Sequence, residues 1–177
     1  MHPKLIFLVV TSFLLVGLIA GEAAEPEIAI YADRVREQDL TSCMRCGKPI
    51  RPGAIHQDAE AVLLDELRQG LADSGAKYSL GRSDGRRNIE VLVFRFQERK
   101  GGNFAVDKPA SVGFHLHLID QKKIVKVFEF DETQQPLSDN ILKIGAFLRR
   151  GAKWITAGQL AAEGIEKGIA YFQEDLR

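Results

Sequence analysis

The chain has 177 residues, 45% of them hydrophobic and 27% charged, with 24 Lys and Arg against 24 Asp and Glu. That length suits one globular domain with enough apolar material for a core, and it excludes collagen-like, coiled-coil and multi-span membrane chains. A formal charge of zero excludes a general nucleic-acid binder, which needs surplus cations to displace counterions from phosphate.

Met1-His2-Pro3-Lys4 places one positive charge ahead of an apolar stretch over residues 5–20, and small residues follow at Gly21, Ala23 and Ala24. This is the order of a secretory signal peptide cleaved after Ala23 or Ala24, with an apolar stretch shorter than the ~20 residues of a spanning helix. Residues 1–24 are therefore expected to be the leader, with a retained anchor as the alternative, and residues 25–177 a single exported, periplasmic domain. A lipid anchor is not supported, because Gly21 is followed by Glu22 where a lipoprotein needs a cysteine.

Beyond Pro26, residues 27–31 read as a strand, and residues 34–57, polar and broken by Gly and Pro, read as a long loop holding both cysteines. Val62, Leu63, Leu67 and Leu71 recur at three- and four-residue steps, which predicts an amphipathic helix over residues 58–72 that stops near Ser74-Gly75. Residues 78–80 suit a short strand, and Ser83-Asp84-Gly85 a turn. Residues 88–98 alternate, with Leu92, Phe94 and Phe96 on one face and Val91, Val93 and Arg95 on the other. Val112, Phe114, Leu116 and Leu118 alternate more cleanly with Gly113, His115 and His117, and a polar turn at residues 120–123 leads into a third strand over residues 124–130. These three predict an antiparallel meander whose apolar face needs a cover.

Helices supply the cover. Ser138 or Asp139 can cap a helix over residues 140–150, and Thr156 with Gln159 forms a capping box opening a helix to about Gln173. On that last helix Gly164 and Gly168 share a stripe with Ala161, Ile165, Ile169 and Phe172, which predicts a close backbone approach to the sheet. The expected fold is α+β, a two-layer α/β sandwich with a mainly antiparallel sheet packed against helices on one face.

Two motifs carry potential chemistry. Cys43-Met-Arg-Cys46-Gly47 has three readings: a disulfide, which an oxidising compartment favours; a redox-active pair; or half of a zinc knuckle, with His56 as a third ligand. His115 and His117 project from one face of their strand and suit a transition metal with Glu129 completing the site, or else a solvated sheet face, the preferred reading. No cofactor is expected, with zinc as the exception under the knuckle reading. There is no Ser/His/Asp order, phosphate-cradling glycine loop or His-Glu-x-x-His helix, so no catalytic residue is assigned and no enzyme is expected. Asp131 and Glu132 suit a solvated turn, and Glu132, Gln134 and Gln135, too long to fold back onto nearby N–H groups, are candidates for contact with a partner.

The segment from Phe130-Asp-Glu-Thr-Gln-Gln-Pro-Leu-Ser-Asp-Asn140 to Phe147-Leu-Arg-Arg-Gly-Ala-Lys-Trp-Ile-Thr-Ala157, with Pro109-Ala-Ser-Val-Gly-Phe114 and Leu118-Ile-Asp120 before it, resembles a group of uncharacterised exported envelope proteins and lipoproteins of Gram-negative bacteria. It is more loosely similar to the amino-terminal domain of TolB and to CsgG- and LpoB-type domains. The resemblance implies a non-catalytic periplasmic accessory or assembly protein that binds an envelope protein partner, with peripheral association with the outer membrane as a further expectation. A periplasmic redox or metal-binding protein using Cys43 and Cys46 is the alternative.

Overall fold

The computed structural model describes residues 27–37, 39–101, 106–134 and 155–176. The expected signal peptide, Gln135, the caps Ser138 and Asp139 and the helix expected over residues 140–150 lie outside the described residues. Among those described, the elements run β1 (Ile28–Arg34), α1 (Ala59–Asp73), β2 (Tyr78–Leu80), β3 (Asn88–Gln97), β4 (Lys100–Gly101), β5 (Val106–Lys108), β6 (Ser111–Asp120), β7 (Lys123–Thr133) and α2 (Ala157–Phe172).

Both helices follow from their sequence signals. Leu63, Leu67 and Leu71 form the buried stripe of α1, each burial contributing roughly 1.5–3 kcal/mol. Gly75, at φ +77°, ends that helix in the left-handed conformation that glycine adopts without strain. At the start of α2, the Thr156 side-chain oxygen accepts the Gln159 N–H at 3.1 Å while Gln159 Oε1 accepts the Thr156 N–H at 3.0 Å, so the expected capping box is formed.

The main sheet has the order β2-β1-β3-β6-β7. The expected meander is present as the antiparallel pairs β3–β6 and β6–β7. β1 is parallel to both β2 and β3, because α1 carries the chain back between β1 and β2 as parallel pairing requires. The class is α+β as expected, with a mixed sheet.

One face of this sheet meets both helices. Ile28 and Ile30 of β1, Ile89, Val91 and Val93 of β3, and Val112, Phe114, Leu116 and Leu118 of β6 pack there against the leucines of α1 and the apolar stripe of α2. Phe96 belongs to the same cluster, although strict alternation puts it with Leu92 and Phe94. The pairing of β3 with β6 shifts register between Val93 and Arg95, and one extra residue in a strand exchanges its faces from that point on.

The close approach expected of the glycines on α2 is real. A Cβ on Gly164 would stand 2.8 Å from the rings of both Phe114 and Phe130, which are themselves packed with centroids 5.2 Å apart. Gly164→Ala gains helix propensity of ~1 kcal/mol, but overpacking two confined rings costs about 1–3 kcal/mol. Net destabilisation of about 1 kcal/mol is expected in urea denaturation, and a stabilised variant would show that the helix can lift off the sheet freely.

The opposite face is covered by the loop between β1 and α1. Val35, Cys43 and Ile50 of the loop join Leu92 and Phe94 in a second, smaller core. The returning arm of the loop runs along β3, with the Gly53 N–H donating to Phe94 O at 2.9 Å and the Phe96 N–H to Ala54 O at 3.0 Å. Asp131 on β7 fastens the arm further: one carboxylate oxygen accepts from Arg51 Nε at 2.7 Å and the other pairs with Arg95. The solvated turn expected at Asp131 and Glu132 is thus a clamp, with Glu132 on Lys167 of α2 at 3.3 Å.

Candidate metal centre

The loop segment carrying the cysteines is a tight knuckle. The Cys43 N–H donates to Lys48 O at 2.8 Å, the Gly47 N–H donates to Cys43 O at 2.8 Å, and the Ile50 N–H donates to Thr41 O at 3.1 Å. Gly47 makes the reversal at φ +72°, where a side chain would be strained. Folded this way, the N–H groups of Arg45 and Cys46 are directed at the Cys43 sulfur, and that of Lys48 at the Cys46 sulfur. Donors aimed at sulfur favour the thiolate, the form that binds metal.

The knuckle closes over β6, whose two-residue period puts His115 and His117 on the same face beneath it. Cys43 Sγ lies 3.8 Å from His117 Nε2, and Cys46 Sγ lies 3.5 Å from His115 Nδ1. All four ligand atoms fall within 4.8 Å of one another. Zinc bonds of ~2.3 Å to sulfur and ~2.0 Å to nitrogen at tetrahedral angles set sulfur–nitrogen edges of about 3.5 Å. The four donors therefore fit a single ion with small side-chain adjustments. A two-iron cluster, which puts the histidine pair on one iron and the cysteine pair on the other, does not fit sulfur and nitrogen donors only 3.5 and 3.8 Å apart.

The surroundings hold this set in place. Phe94 packs its ring edge-on to His115 with centroids 5.3 Å apart, and it does so over Gly113, where a Cβ would meet the Phe94 ring at 2.3 Å. His117 Nδ1 lies 2.8 Å from Glu90 Oε2, both side chains fully buried. Glu90 accepts the proton of Nδ1 and leaves Nε2 turned to the sulfurs, the carboxylate–histidine–metal relation that fixes ring orientation and tautomer. Arg45, between the two cysteines, reaches down to Glu90 Oε1 at 2.6 Å and across to Asp33 at 3.0 Å. The contact to Glu90 is an ion pair without hydrogen-bond geometry. Arg82, stacked over Tyr31, stands 3.8 Å from the same oxygen.

Burial pushes both thiols up. At Cys43, hydrogen bonds from His115, His117 and the N–H groups of Cys46 and Arg45 overturn it and bring the thiol down to about 5. Cys46 is pushed up to about 11 by burial, against the Lys48 N–H and with the Cys43 thiolate adding to the rise. Burial lowers His117, but Cys43 and Glu90 outweigh it and hold the imidazole above its usual value. A metal ion takes both sulfurs as thiolates and an imidazole nitrogen lone pair from each histidine, so its binding releases protons.

The structure joins two motifs that the sequence presents separately and places several residues differently from the sequence reading. His115 and His117 are not on a solvated face: they are 1% and 0% exposed, because the loop covers them. His56 lies outside the cluster, half-exposed beside Asp58. Glu129, opposite His115 on β7, lies outside it too and pairs with Lys48 at 3.1 Å. Cys43 and Cys46 are free cysteines in this structure, with the sulfurs apart rather than bonded. Of the residues offered for partner contact, Gln134 is buried and its N–H donates to Ala110 O, Glu132 is engaged by Lys167, and Gln135 lies outside the described residues. Glu90 and Arg45 are the functional residues that sequence reasoning missed. A carboxylate two residues before Leu92 and four before Phe94, on their face of the strand, was the available signal.

No family model matches the sequence, and the search of curated proteins found no match. Among solved structures, the chain is similar to a PelC dodecamer from Paraburkholderia phytofirmans, with 14% identity, a TM-score of 0.52, and coverage of 84% of this chain and 86% of that one. Protein XCC0632 from Xanthomonas campestris, assigned to DUF330, matches with 16% identity, a TM-score of 0.48 and coverage of 86% and 88%. A minor lipoprotein from Acinetobacter baumannii matches with 8% identity, a TM-score of 0.33 and coverage of 86% and 90%. The PelC likeness shows a shared fold. Among the described residues no helix is long and apolar enough to cross a membrane.

Proposed function

We propose that this chain is a metal-binding accessory protein of the bacterial cell envelope, holding one zinc ion between Cys43, Cys46, His115 and His117. The observation that carries the reading is the convergence of four soft and borderline donors within 4.8 Å on a buried sheet face. Two sulfurs and two nitrogens in a tetrahedral set select zinc over calcium, magnesium or manganese, which take oxygen donors. Four protein ligands complete the coordination, so the ion acts as a clasp that fastens the loop to the sheet and leaves no position for a substrate. The leader-like amino terminus and the resemblance to exported envelope proteins support the location and the accessory role.

Protein purified under reducing conditions is expected to carry close to one zinc per chain. Cobalt in its place is expected to give the intense visible bands of a tetrahedral site and the near-ultraviolet absorption of cobalt–thiolate bonds. Cys43→Ser should abolish the thiolate absorption or reduce it sharply. Reduced, folded protein that takes up neither ion would refute the reading.

A further inference from the structure

The two sulfurs of the centre belong to the only cysteines of the chain. Any intramolecular disulfide the protein can form is therefore made from the metal's own ligands. The residues separating them are two, Met44 and Arg45, and the sulfurs already lie within 4.8 Å of each other. A disulfide of ~2.05 Å draws them together and spends the thiolate electron pairs that bind zinc, leaving two imidazoles, too few donors to hold the ion tightly. Metal and disulfide are mutually exclusive.

Access to the pair is one-sided. Cys43 is buried, whereas Cys46 is only partly so and opens onto a groove lined by Arg45, Ile119, Lys122, Lys123 and Val127. From this placement, and resting on the zinc reading above, we infer that the centre is a redox-gated clasp: an external disulfide reacts at Cys46 and exchanges the bound zinc for a Cys43–Cys46 disulfide. As the ion leaves, Cys46, the exposed sulfur, gives any proton it carries to water and attacks one sulfur of the external disulfide, forming a mixed disulfide and expelling the other sulfur as a thiolate. The Cys43 thiolate then attacks the Cys46 sulfur, forming the internal bond and expelling the second thiolate. Two electrons pass from the protein pair to the external disulfide, whose two thiolates take up protons from water, and the zinc leaves as the divalent ion. With the ion gone, the knuckle loses its bonds to β6, so the oxidised state frees the loop face that the metal had closed.

The test uses the reduced, zinc-loaded chain and oxidised glutathione as the probe. Zinc release is followed with a chromogenic chelator and the disulfide by mass. One zinc released per Cys43–Cys46 disulfide is expected, with circular dichroism retained. With free zinc buffered at ten times the dissociation constant, only about one molecule in eleven is unloaded, so oxidation should be slowed about tenfold relative to zinc-free protein. His115→Ala keeps both thiols but weakens the ion's hold, and should lose most of that protection. Zinc retained after the disulfide forms, zinc released without it, or equal oxidation rates with and without zinc would overturn the gate. Failure of the reduced chain to load zinc at all would instead overturn the metal reading on which the gate rests.

Discussion

Removing zinc from the reduced protein is expected to lower its melting temperature by about 8–16 °C. A ligand at a thousand times its dissociation constant adds about 4.1 kcal/mol to the native state, and each kcal/mol moves the midpoint of a domain of 150–250 residues by about 2–4 °C. The loss should be uneven. The helix-side core needs no metal, since Leu63, Leu67, Phe114, Leu116 and Leu160 are buried among apolar neighbours. Residues 41–50 rest on the smaller core formed with Leu92 and Phe94 and on the ion pairs of Arg45 and Lys48, so the metal carries a larger share of their hold. Hydrogen exchange should therefore accelerate at the Cys43 and Gly47 amides, whose bonds close the knuckle, while α1 and α2 stay protected. His117→Ala should reproduce the loss even with zinc in solution, and should melt at the same temperature with or without the ion. A wild-type melting temperature indifferent to zinc would mean that the four donors do not act together.

The helix face of the fold was legible in the sequence because its signals are local. Four-residue recurrence of leucines, a Thr-x-x-Gln box and strict alternation over β6 each need only a few neighbouring residues to be read. The site was legible only in halves. The Cys-x-x-Cys-Gly knuckle and the His-x-His strand were both visible, but their sulfurs and nitrogens meet across separations of 74 and 69 residues. No periodicity records that a loop folds back over a sheet. Taken separately, each half offers two donors, which suits a disulfide for one and a solvated face for the other. The clue lay on β3: Leu92 and Phe94 share the face of the histidines, and large apolar side chains there call for a cover. The register shift after Val93 obscured it, because alternation read straight through to Phe96 does not reveal that the strand changes faces.

The second large effect is expected at the ion pair under the knuckle, where stability and metal affinity should separate. Glu90 is fully buried and receives Arg45 on one oxygen and His117 on the other. Arg45→Met removes the nearer guanidinium and leaves the buried carboxylate with its His117 hydrogen bond and the more distant Arg82 at 3.8 Å. Stranding a buried charge costs about 3–5 kcal/mol, and Arg82 holds the expected loss to about 3 kcal/mol. Glu90→Gln is milder for stability, because Arg45 is about one-third exposed and keeps Asp33 as a partner. It does replace the charged acceptor of His117 by a neutral one, so zinc affinity should fall about 10–100-fold, the usual cost of disturbing a ligand's outer partner. Arg45→Met made on top of Glu90→Gln strands no carboxylate, so the double variant should recover most of the stability lost by Arg45→Met alone while its zinc affinity stays low. Urea denaturation of the zinc-free proteins and competition with a chelator measure the two quantities independently. Additive losses of stability in the double variant would show that Arg45 does not neutralise Glu90. Unchanged zinc affinity in Glu90→Gln would show that the carboxylate does not position His117.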